Sequence, residues 1–480
     1  MNIIEAPLSE LKEMLDNGDI SAVEIVRAFR ENYERDEREE LPLNGYIEFF
    51  DDAEKAAQKS DQVRESGDPG ILEGLPIAVK DNILISGHEV TCGSAILEGF
   101  KAPYSSTVVE RLRAEGMIFL GRTNMDEFAM GSTCEYSVYG PSRNPYERNH
   151  VTGGSSGGSA CVVSAAQAPV ALGSETGGSV RLPASFCGIY GLKPTYGSLS
   201  RYGLVAFGSS LDQIGILGRV PDDIALVLSV AGGYDPNDST SANVDFSGIY
   251  PLKRMKLKGK RVAIPVEISE EGVDEEIRGK IKVFSDWLTG MGVTVEKISL
   301  PVLKLSVAIY YIIAPAEASS NLSRFDGIKY GFRDTTGETL EDLYVRTRTR
   351  GFGEEVKRRI FIGNYVLSSG YYDEYYKKAM EVRRLLKGRI SELFTKYDFI
   401  LSPTSPVLPF RIGEKVDDPL SLYLTDICTT FANLASIPAL SVPLGLSKKG
   451  LPIGLQIAGN MFEEEKLLRV AKLWHEESNF

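Results

Sequence analysis

The first sixty residues place apolar side chains at helical spacing. Ser21 and Glu24 have the spacing of a capping box, and the apolar positions of segment 23–33 recur on one face of a helix. Ser9 is suitably placed to cap a shorter helix before it. The N-terminal region is therefore predicted to be helical.

A strand pattern follows this helical region. Residues 75–79 form a continuous apolar run typical of a buried strand, and Lys80 stands at its polar end. A helix is predicted to begin at Ser106 or Thr107, and the apolar run 117–120 predicts another strand. This alternation predicts a parallel or mixed sheet, so the fold class is α/β.

The same alternation continues towards the end of the chain. Residues 261–265 and 293–295 are predicted strands on either side of a helix at 274–290, and further helices are predicted near 354–396. No linker rich in Pro and Ser, or in charge, separates these parts. We predict a single domain over 1–480, comprising a helical N-terminal region (1–65), a catalytic region (66–220) and the remaining sheet with substrate-binding helices (221–480).

The charge balance limits the choice of partners. The chain has 53 Lys and Arg against 66 Asp and Glu, a formal net charge of −13. It lacks the basic excess that drives non-specific binding to nucleic acid. Any RNA is therefore expected to be held mainly by another molecule.

Apolar runs and cysteines bear on the compartment. Uninterrupted apolar runs fall short of the roughly 18 residues that span a membrane, and residues 1–7 lack a signal-peptide pattern. The five cysteines are scattered and include no Cys-x-x-Cys pair. We expect a cytoplasmic protein with reduced, mostly buried thiols and no membrane contact.

Two segments rich in Gly and Ser concentrate the candidate chemistry. Residues 153–159 contain four glycines and three serines, a backbone able to approach a ligand closely. This run matches Gly-x-Ser-x-Gly, but the hydrolase elbow of that motif follows a strand directly, and the polar residues 144–150 are no strand. The second segment, 173–181, follows an apolar lead at 169–172 that is a predicted strand.

Ser179 in the second segment is a candidate nucleophile. The backbone N–H groups of Thr176, Gly177, Gly178 and Ser179 are suited to bind the oxyanion of a tetrahedral intermediate. A serine also needs a base, and the three histidines, at positions 88, 150 and 475, have no partner motif. Lys80 is the alternative base, because a desolvated ammonium loses its proton near neutral pH.

Three motifs together resemble the amidase-signature family. They are Ile77-Ala78-Val79-Lys80-Asp81, the 153–159 run and the 173–181 segment, with 24 residues between Ser155 and Ser179. The resemblance implies a mixed β-sheet core covered by helices on both faces.

The resemblance also implies roles for three of these residues. Lys80 would be the base, Ser155 a bridging serine on a cis peptide after Gly154, and Ser179 the nucleophile that forms the acyl ester. Such a peptide tends to persist only at functional sites.

Within the family, the likeness is greatest to the glutaminase subunits of glutamyl-tRNA(Gln) amidotransferases. It rests on segments 123–132, 323–327 and 351–376 and extends over nearly the whole chain. It implies glutamine as the amide donor. The implied substrate-binding residues are Arg359 for the α-carboxylate, with Arg358 as the alternative, Asp426 for the α-ammonium, and Tyr310, Gly131 and Ser132.

That likeness also implies partners. Ammonia would pass to a partner in a heterotrimer with subunits B and C, which would hold tRNA(Gln) and use ATP and Mg²⁺ to amidate Glu-tRNA(Gln). This chain has no phosphate-binding or dinucleotide motif and no metal-spaced Cys/His set, so no cofactor is assigned to it.

Two alternatives remain open at this point. One is a stand-alone amidase that acts on small or peptide amides without partners. The other is a catalytically silent scaffold of the same fold, which the intact Lys80, Ser155 and Ser179 disfavour.

Overall fold

The computed structural model describes residues 2–270, 272–415 and 418–478. Across these residues, eleven strands form one sheet. The strands are β1 (Tyr46–Phe49), β2 (Pro76–Lys80), β3 (Ile118–Thr123), β4 (Val170–Glu175), β5 (Tyr190–Lys193), β6 (Gln213–Gly218), β7 (Arg261–Pro265), β8 (Thr294–Ile298), β9 (Phe399–Pro403), β10 (Ala439–Leu446) and β11 (Pro452–Ala458).

The helices of the described residues carry the apolar faces that cover this sheet. They are α1 (Leu8–Asn17), α2 (Ala22–Asp36), α3 (Ala53–Ser66), α4 (Thr107–Ala114), α5 (Gly157–Ser164), α6 (Arg181–Phe186), α7 (Pro221–Ala231), α8 (Glu275–Gly290), α9 (Ser306–Asn321), α10 (Leu340–Gly351), α11 (Glu354–Leu367), α12 (Lys378–Leu393), α13 (Pro419–Tyr423), α14 (Thr430–Leu434) and α15 (Glu464–Ser478).

The sheet is mixed, as the sequence predicts. Its strand order is β1-β3-β2-β4-β6-β5-β10-β11-β9-β7-β8. β2 lies between β3 and β4 and runs parallel to both, whereas β4, β6, β5, β10, β11 and β9 pair with one another antiparallel. Lys80 pairs with Thr123 at the end of β2, and all five residues of that strand are buried.

Most predicted elements are confirmed. β2, β3, β7, α8 and β8 lie where the apolar pattern places them, and Ser21 and Glu24 form the predicted capping box on α2. The prediction that Ser9 caps the first helix is wrong. α1 begins at Leu8, and the Asp223 carboxylate accepts the N–H groups of Leu8 and Ser9 at 2.9 and 3.0 Å. A side chain 214 positions later caps this helix, which no local pattern could show.

Two apolar clusters form the core. The larger joins the N-terminal helices, α7, α8, α15 and much of the sheet, and the smaller lies beneath α9, α11, α12 and α14. The smaller cluster includes Tyr310, Val356 and Cys428. It supports the helices that carry the predicted substrate-binding residues. The single-domain boundaries stay a prediction.

One stretch has the overall composition of a membrane-spanning helix, although its uninterrupted apolar runs are too short to span a membrane. Pro301–Arg324 has the length and apolar composition of a membrane-spanning helix, with a mean hydropathy of 1.3 in its most apolar window. In the structure 56% of that window is buried within the fold. Polar residues interrupt this stretch, so a search for continuous apolar runs misses it. Its composition is also that of a buried core helix in a folded protein.

Candidate active site

Lys80 lies at the centre of the site and is completely buried. Its Nζ donates to Ser155 Oγ and Ser156 Oγ, each at 2.8 Å, and to the Ser174 carbonyl at 3.1 Å. Three neutral oxygens therefore surround the amine, and no carboxylate forms an ion pair with it in the described chain.

Burial determines the ionisation of this lysine. Desolvation lowers the pKa of Lys80 from its usual 10.5 to about 7, against a weaker opposing effect of buried acids that include Asp126 and Glu175. At neutral pH, Lys80 is therefore a neutral amine in a substantial fraction of the molecules. Such an amine can accept a proton from a serine hydroxyl.

The first Gly/Ser run brings two hydroxyls to this lysine. The Gly154–Ser155 peptide is cis, as the family resemblance implies. Gly154 packs so closely against Asp126 that a Cβ at this position would lie 2.0 Å from Oδ2 of that aspartate. Side chains larger than hydrogen are therefore excluded here, and Ser155 is held against Lys80.

Ser179 lies beside this run without a direct hydrogen bond to Ser155. The N–H of Ser156 donates to the Ser179 carbonyl at 3.0 Å, so the two loops are joined by backbone. In the described chain the Ser179 hydroxyl has no hydrogen-bond partner, and the residue is 7% exposed. This hydroxyl is accessible for reaction with a ligand.

The loop before Ser179 has free backbone donors. The amides of residues 177–179 donate to no other group in the residues that the structure describes. Glu175 fixes the far side of the loop, because its Oε2 accepts the N–H groups of Val180 and Arg181 at 2.9 and 3.0 Å. Thr176 Oγ1 donates to Asp212 at 2.7 Å. A loop anchored at both ends with free amides can stabilise an oxyanion.

A pocket with opposite charges adjoins this loop. Asp426 is 5% exposed, and its Oδ2 accepts hydrogen bonds from Ser132 Oγ and Tyr311 Oη, both at 2.9 Å. Oδ1 accepts none within the described chain. Burial raises the pKa of Asp426 to about 6, so the carboxylate is largely ionised at neutral pH.

Arg359 supplies the positive charge of the same pocket. It is 2% exposed, and its guanidinium lies 5.4 to 5.7 Å from the ring centroids of Phe207, Tyr311 and Tyr423. Its Nε donates to Glu355 at 2.8 Å, whereas its two terminal nitrogens have no partner in the described chain. Arg358 points elsewhere, with a side chain 42% exposed that pairs with the other Glu355 oxygen.

Tyr310 and Gly131 complete the predicted set. A Cβ on Gly177 would lie 2.6 Å from the Tyr310 ring, so this tyrosine packs directly on the loop with the free amides. A Cβ on Gly131, one residue before Ser132, would lie 2.3 Å from Cγ of the Asp126 carboxylate. The structure thus gathers all of the predicted site residues around the two loops. Their chemical roles stay predictions.

Several residues of the site escaped sequence reasoning. Ser156 accepts a hydrogen bond from the Lys80 amine, as Ser155 does. Its position in the same Gly/Ser run was the only indication of this role in the sequence. Asp126 lies in the conspicuous 123–132 segment, where its oxygens accept the N–H groups of Cys134 and Tyr136. Glu355 stands four residues before Arg359, a spacing that places both on one helix face, and this spacing was the signal that the sequence offered. Tyr311 gave no signal, because its partner Asp426 is distant along the chain.

None of the three histidines forms a hydrogen bond with Ser155, Ser156 or Ser179 in the described chain, and His150 lies where its backbone pairs with Arg411. His88 stacks on Phe50, and His475 lies 3.3 Å from the Tyr190 hydroxyl. All five cysteines are free and buried, as predicted. Among the described residues, no cluster of His, Cys, Asp and Glu has the arrangement of a metal site.

Comparisons with known proteins match nearly the whole chain to one family. The model of the Amidase family matches residues 24–468. The A subunit of the glutamyl-tRNA(Gln) amidotransferase of Treponema denticola is 50% identical over 483 aligned positions, which cover 99% of this chain and 100% of the relative.

Solved structures share the whole fold. The crystal structure of the corresponding A subunit of glutamyl-tRNA(Gln) amidotransferase from Thermotoga maritima is 39% identical, with a TM-score of 0.81 and coverage of 99% of this chain and 96% of that one. The native peptide amidase from Stenotrophomonas maltophilia is 27% identical, with a TM-score of 0.84 and coverage of 99% and 97%.

Proposed function

Because the chain belongs to the Amidase family, we infer that it is the glutamine-hydrolysing subunit of a glutamyl-tRNA(Gln) amidotransferase. The observation that carries this inference is the pair of opposite charges beside the serine loop. Arg359 and Asp426 are both buried, and each retains atoms that bond to no group of the described chain. A free α-amino acid needs one fixed cation and one fixed anion.

In the proposed reaction, glutamine binds with its α-carboxylate on Arg359 and its α-ammonium on Oδ1 of Asp426. The side-chain amide then reaches Ser179. Neutral Lys80 accepts a proton through the Ser155 hydroxyl while Ser179 Oγ forms a bond to the amide carbon. The developing oxyanion accepts hydrogen bonds from the amides of residues 177–179.

Collapse of this intermediate breaks the carbon–nitrogen bond. The proton held by Lys80 returns through Ser155 to the leaving nitrogen, which departs as ammonia and leaves a glutamyl ester on Ser179. Water then attacks the ester with the same lysine as base, and glutamate is released. Ser156 holds Lys80 on the other side and keeps the amine directed at Ser155.

We propose that the ammonia is consumed by partner subunits B and C. These partners would hold tRNA(Gln), activate Glu-tRNA(Gln) with ATP and Mg²⁺, and form Gln-tRNA(Gln). The net charge of −13 supports this division, since a chain without basic excess is poorly suited to hold tRNA alone. A cytoplasmic location of the heterotrimer belongs to the same proposal.

The experiment follows the amide nitrogen. Glutamine labelled with ¹⁵N in its amide is supplied to the assembled complex with ATP, Mg²⁺ and Glu-tRNA(Gln), and the aminoacyl group is analysed by mass spectrometry. The proposal predicts labelled glutamine on the tRNA, and none when this chain carries Ser179→Ala. Labelled product from the Ser179→Ala complex would contradict the proposal.

A stand-alone amidase is the second candidate, favoured by the likeness to the peptide amidase. An enzyme of that kind would cleave peptide amides without partners. Turnover of glutamine and of a C-terminally amidated peptide by the isolated chain separates the two. The charged pocket predicts a preference for glutamine, because a peptide amide lacks the free carboxylate that Arg359 would bind.

A further inference from the structure

Two stacked tyrosines join the opposite charges of the pocket. Tyr311 on α9 and Tyr423 at the end of α13 have ring centroids 3.9 Å apart and ring planes inclined by 21°. Both rings also lie beside the Arg359 guanidinium. The pair brings together helices that are more than a hundred positions apart in sequence.

The two hydroxyls bond to different acids. Tyr311 Oη donates to Asp426 Oδ2 at 2.9 Å, on the anionic side of the pocket. Tyr423 Oη donates to Glu355 Oε1 at 3.0 Å, the same oxygen that accepts Arg359 Nε. One hydroxyl therefore fixes the anion, and the other fixes the acid that orients the cation.

These hydrogen bonds use Oδ2 of Asp426 and Nε of Arg359 and leave the other polar atoms of both side chains available to a ligand. Oδ1 of Asp426 and the terminal nitrogens of Arg359 remain without partners in the described chain. A carboxylate and a guanidinium that are already immobilised lose little conformational freedom when a ligand binds. The pocket is thus arranged for binding before glutamine arrives.

We propose that Tyr311 and Tyr423 are positioning residues that set glutamine specificity, each through one end of the amino acid. Tyr311 acts on the ammonium end through Asp426, and Tyr423 acts on the carboxylate end through Glu355 and Arg359. This inference rests on the proposed function, since it takes glutamine as the ligand.

Phenylalanine substitutions isolate the two hydroxyls. Tyr311→Phe and Tyr423→Phe keep the stacked rings and their contact with Arg359, so the packing is retained. Each removes one hydrogen bond to a charged group. The Ser179→Ala chain serves as the parent for binding measurements, because it cannot form the ester.

The experiment is calorimetric titration of the full-length chain with three ligands. They are glutamine, 4-carbamoylbutanoate, which lacks the α-ammonium, and 4-aminobutanamide, which lacks the α-carboxylate. Tyr311→Phe is expected to weaken the binding of glutamine and of 4-aminobutanamide roughly tenfold, the loss typical of a hydrogen bond to a charged group. It should leave the affinity for 4-carbamoylbutanoate unchanged. Tyr423→Phe is expected to weaken the binding of glutamine and of 4-carbamoylbutanoate and to leave the affinity for 4-aminobutanamide unchanged.

A kinetic readout accompanies the titration. In the chain with Ser179 intact, each Phe variant should raise KM for glutamine by a similar factor and leave kcat within about twofold, because neither hydroxyl touches the reacting amide. Tyr234→Phe, at a tyrosine 56% exposed, is the matched control and should change neither constant.

Equal losses for all three ligands in both variants, or no loss in either, would overturn the inference. A failure of the proposed function looks different. In that case the chain with Ser179 intact would not hydrolyse glutamine, while the titration pattern would still decide what the two hydroxyls do.

Discussion

The Lys80 amine is completely buried, and its desolvation favours the neutral form over the charged one. Because burial lowers its pKa to about 7, the fraction available as a base changes across the physiological range. Asp426 changes ionisation at lower pH, near 6, and its proposed role is in binding glutamine and not in proton transfer. The two groups can therefore be separated by measuring kcat and KM independently.

At saturating glutamine, kcat should fall about tenfold per pH unit below pH 7 and level off above it, because only the neutral amine accepts a proton. KM should rise separately below about pH 6, where Asp426 becomes protonated. A steady-state series from pH 5 to pH 9 checks both. A kcat that stays constant between pH 5.5 and pH 8 would contradict Lys80 as the base.

Lys80→Arg tests the same role by substitution. Arginine keeps the positive charge and does not lose its proton in proteins, so kcat should drop by roughly a thousandfold or more. Lys80→Met, which removes the charge as well, should show a similar loss. Circular dichroism establishes that each variant is folded, and a folded Lys80→Arg chain with more than about a tenth of the original kcat would exclude the assignment.

At the scale of elements, two buried carboxylates cap helices from far along the chain. Asp223 on α7 holds the start of α1. Glu127 accepts the N–H of Gly353, directly before α11, with both of its oxygens at 3.1 and 2.9 Å. Since α11 carries Arg359, the Glu127 cap connects the 123–132 segment to the substrate pocket.

Asp223→Ala should lower the free energy of unfolding of α1 by about 1–2 kcal/mol, because it leaves two N–H groups without an acceptor. Hydrogen exchange of the amides in residues 8–17 should accelerate accordingly. Glu13→Ala, at an exposed position on the same helix, is the control and should leave exchange unchanged. Equal exchange in the two variants would refute the capping role.

Glu127 makes stability depend on pH in a predictable direction. Burial raises its pKa from 4.5 to about 7, so the folded chain binds this proton more tightly than the unfolded chain. Stability contributed by the group is complete below pH 4.5 and is lost as the pH rises towards 7. Glu127→Gln cannot titrate.

The stability of Glu127→Gln relative to the unsubstituted chain should therefore improve by about 2–3 kcal/mol between pH 5 and pH 8. Urea unfolding at the two pH values measures this difference. Ser94→Ala, which removes a neighbouring donor but leaves the acid, retains the titration and serves as the comparison. The same relative stability at both pH values would show that Glu127 titrates normally.

The elements also show how far the sequence could predict this molecule. β2 with Lys80 at its end followed from an apolar run, and the serine loops followed from their composition. The cap from Asp223 and the bond between Tyr311 and Asp426 depend on tertiary packing, which no local spacing encodes. Arg359 could not be separated from Arg358 by spacing, because the distinction lies in which helix face is buried.

At the scale of the whole molecule, the acidic net charge supports the proposal that this chain performs one part of a larger reaction. The eleven-stranded sheet holds the serine loops together with the pocket of Arg359 and Asp426, whereas the net charge of −13 disfavours tRNA as a direct ligand. The isolated chain should bind tRNA no more tightly than about 10⁻⁴ M at physiological salt. Filter binding with and without the partner subunits checks this expectation, and submicromolar binding by the isolated chain would contradict it.

In the proposed reaction, Ser179 carries a glutamyl ester during turnover. Acid quenching of the enzyme during hydrolysis of glutamine, followed by intact-mass and peptide-level mass spectrometry, tests it most directly. We expect an added mass of about 129 Da on the peptide that contains Ser179, absent from the Ser179→Ala chain. An ester on Ser155 or Ser156, or glutamine hydrolysis by the Ser179→Ala chain, would exclude Ser179 as the nucleophile.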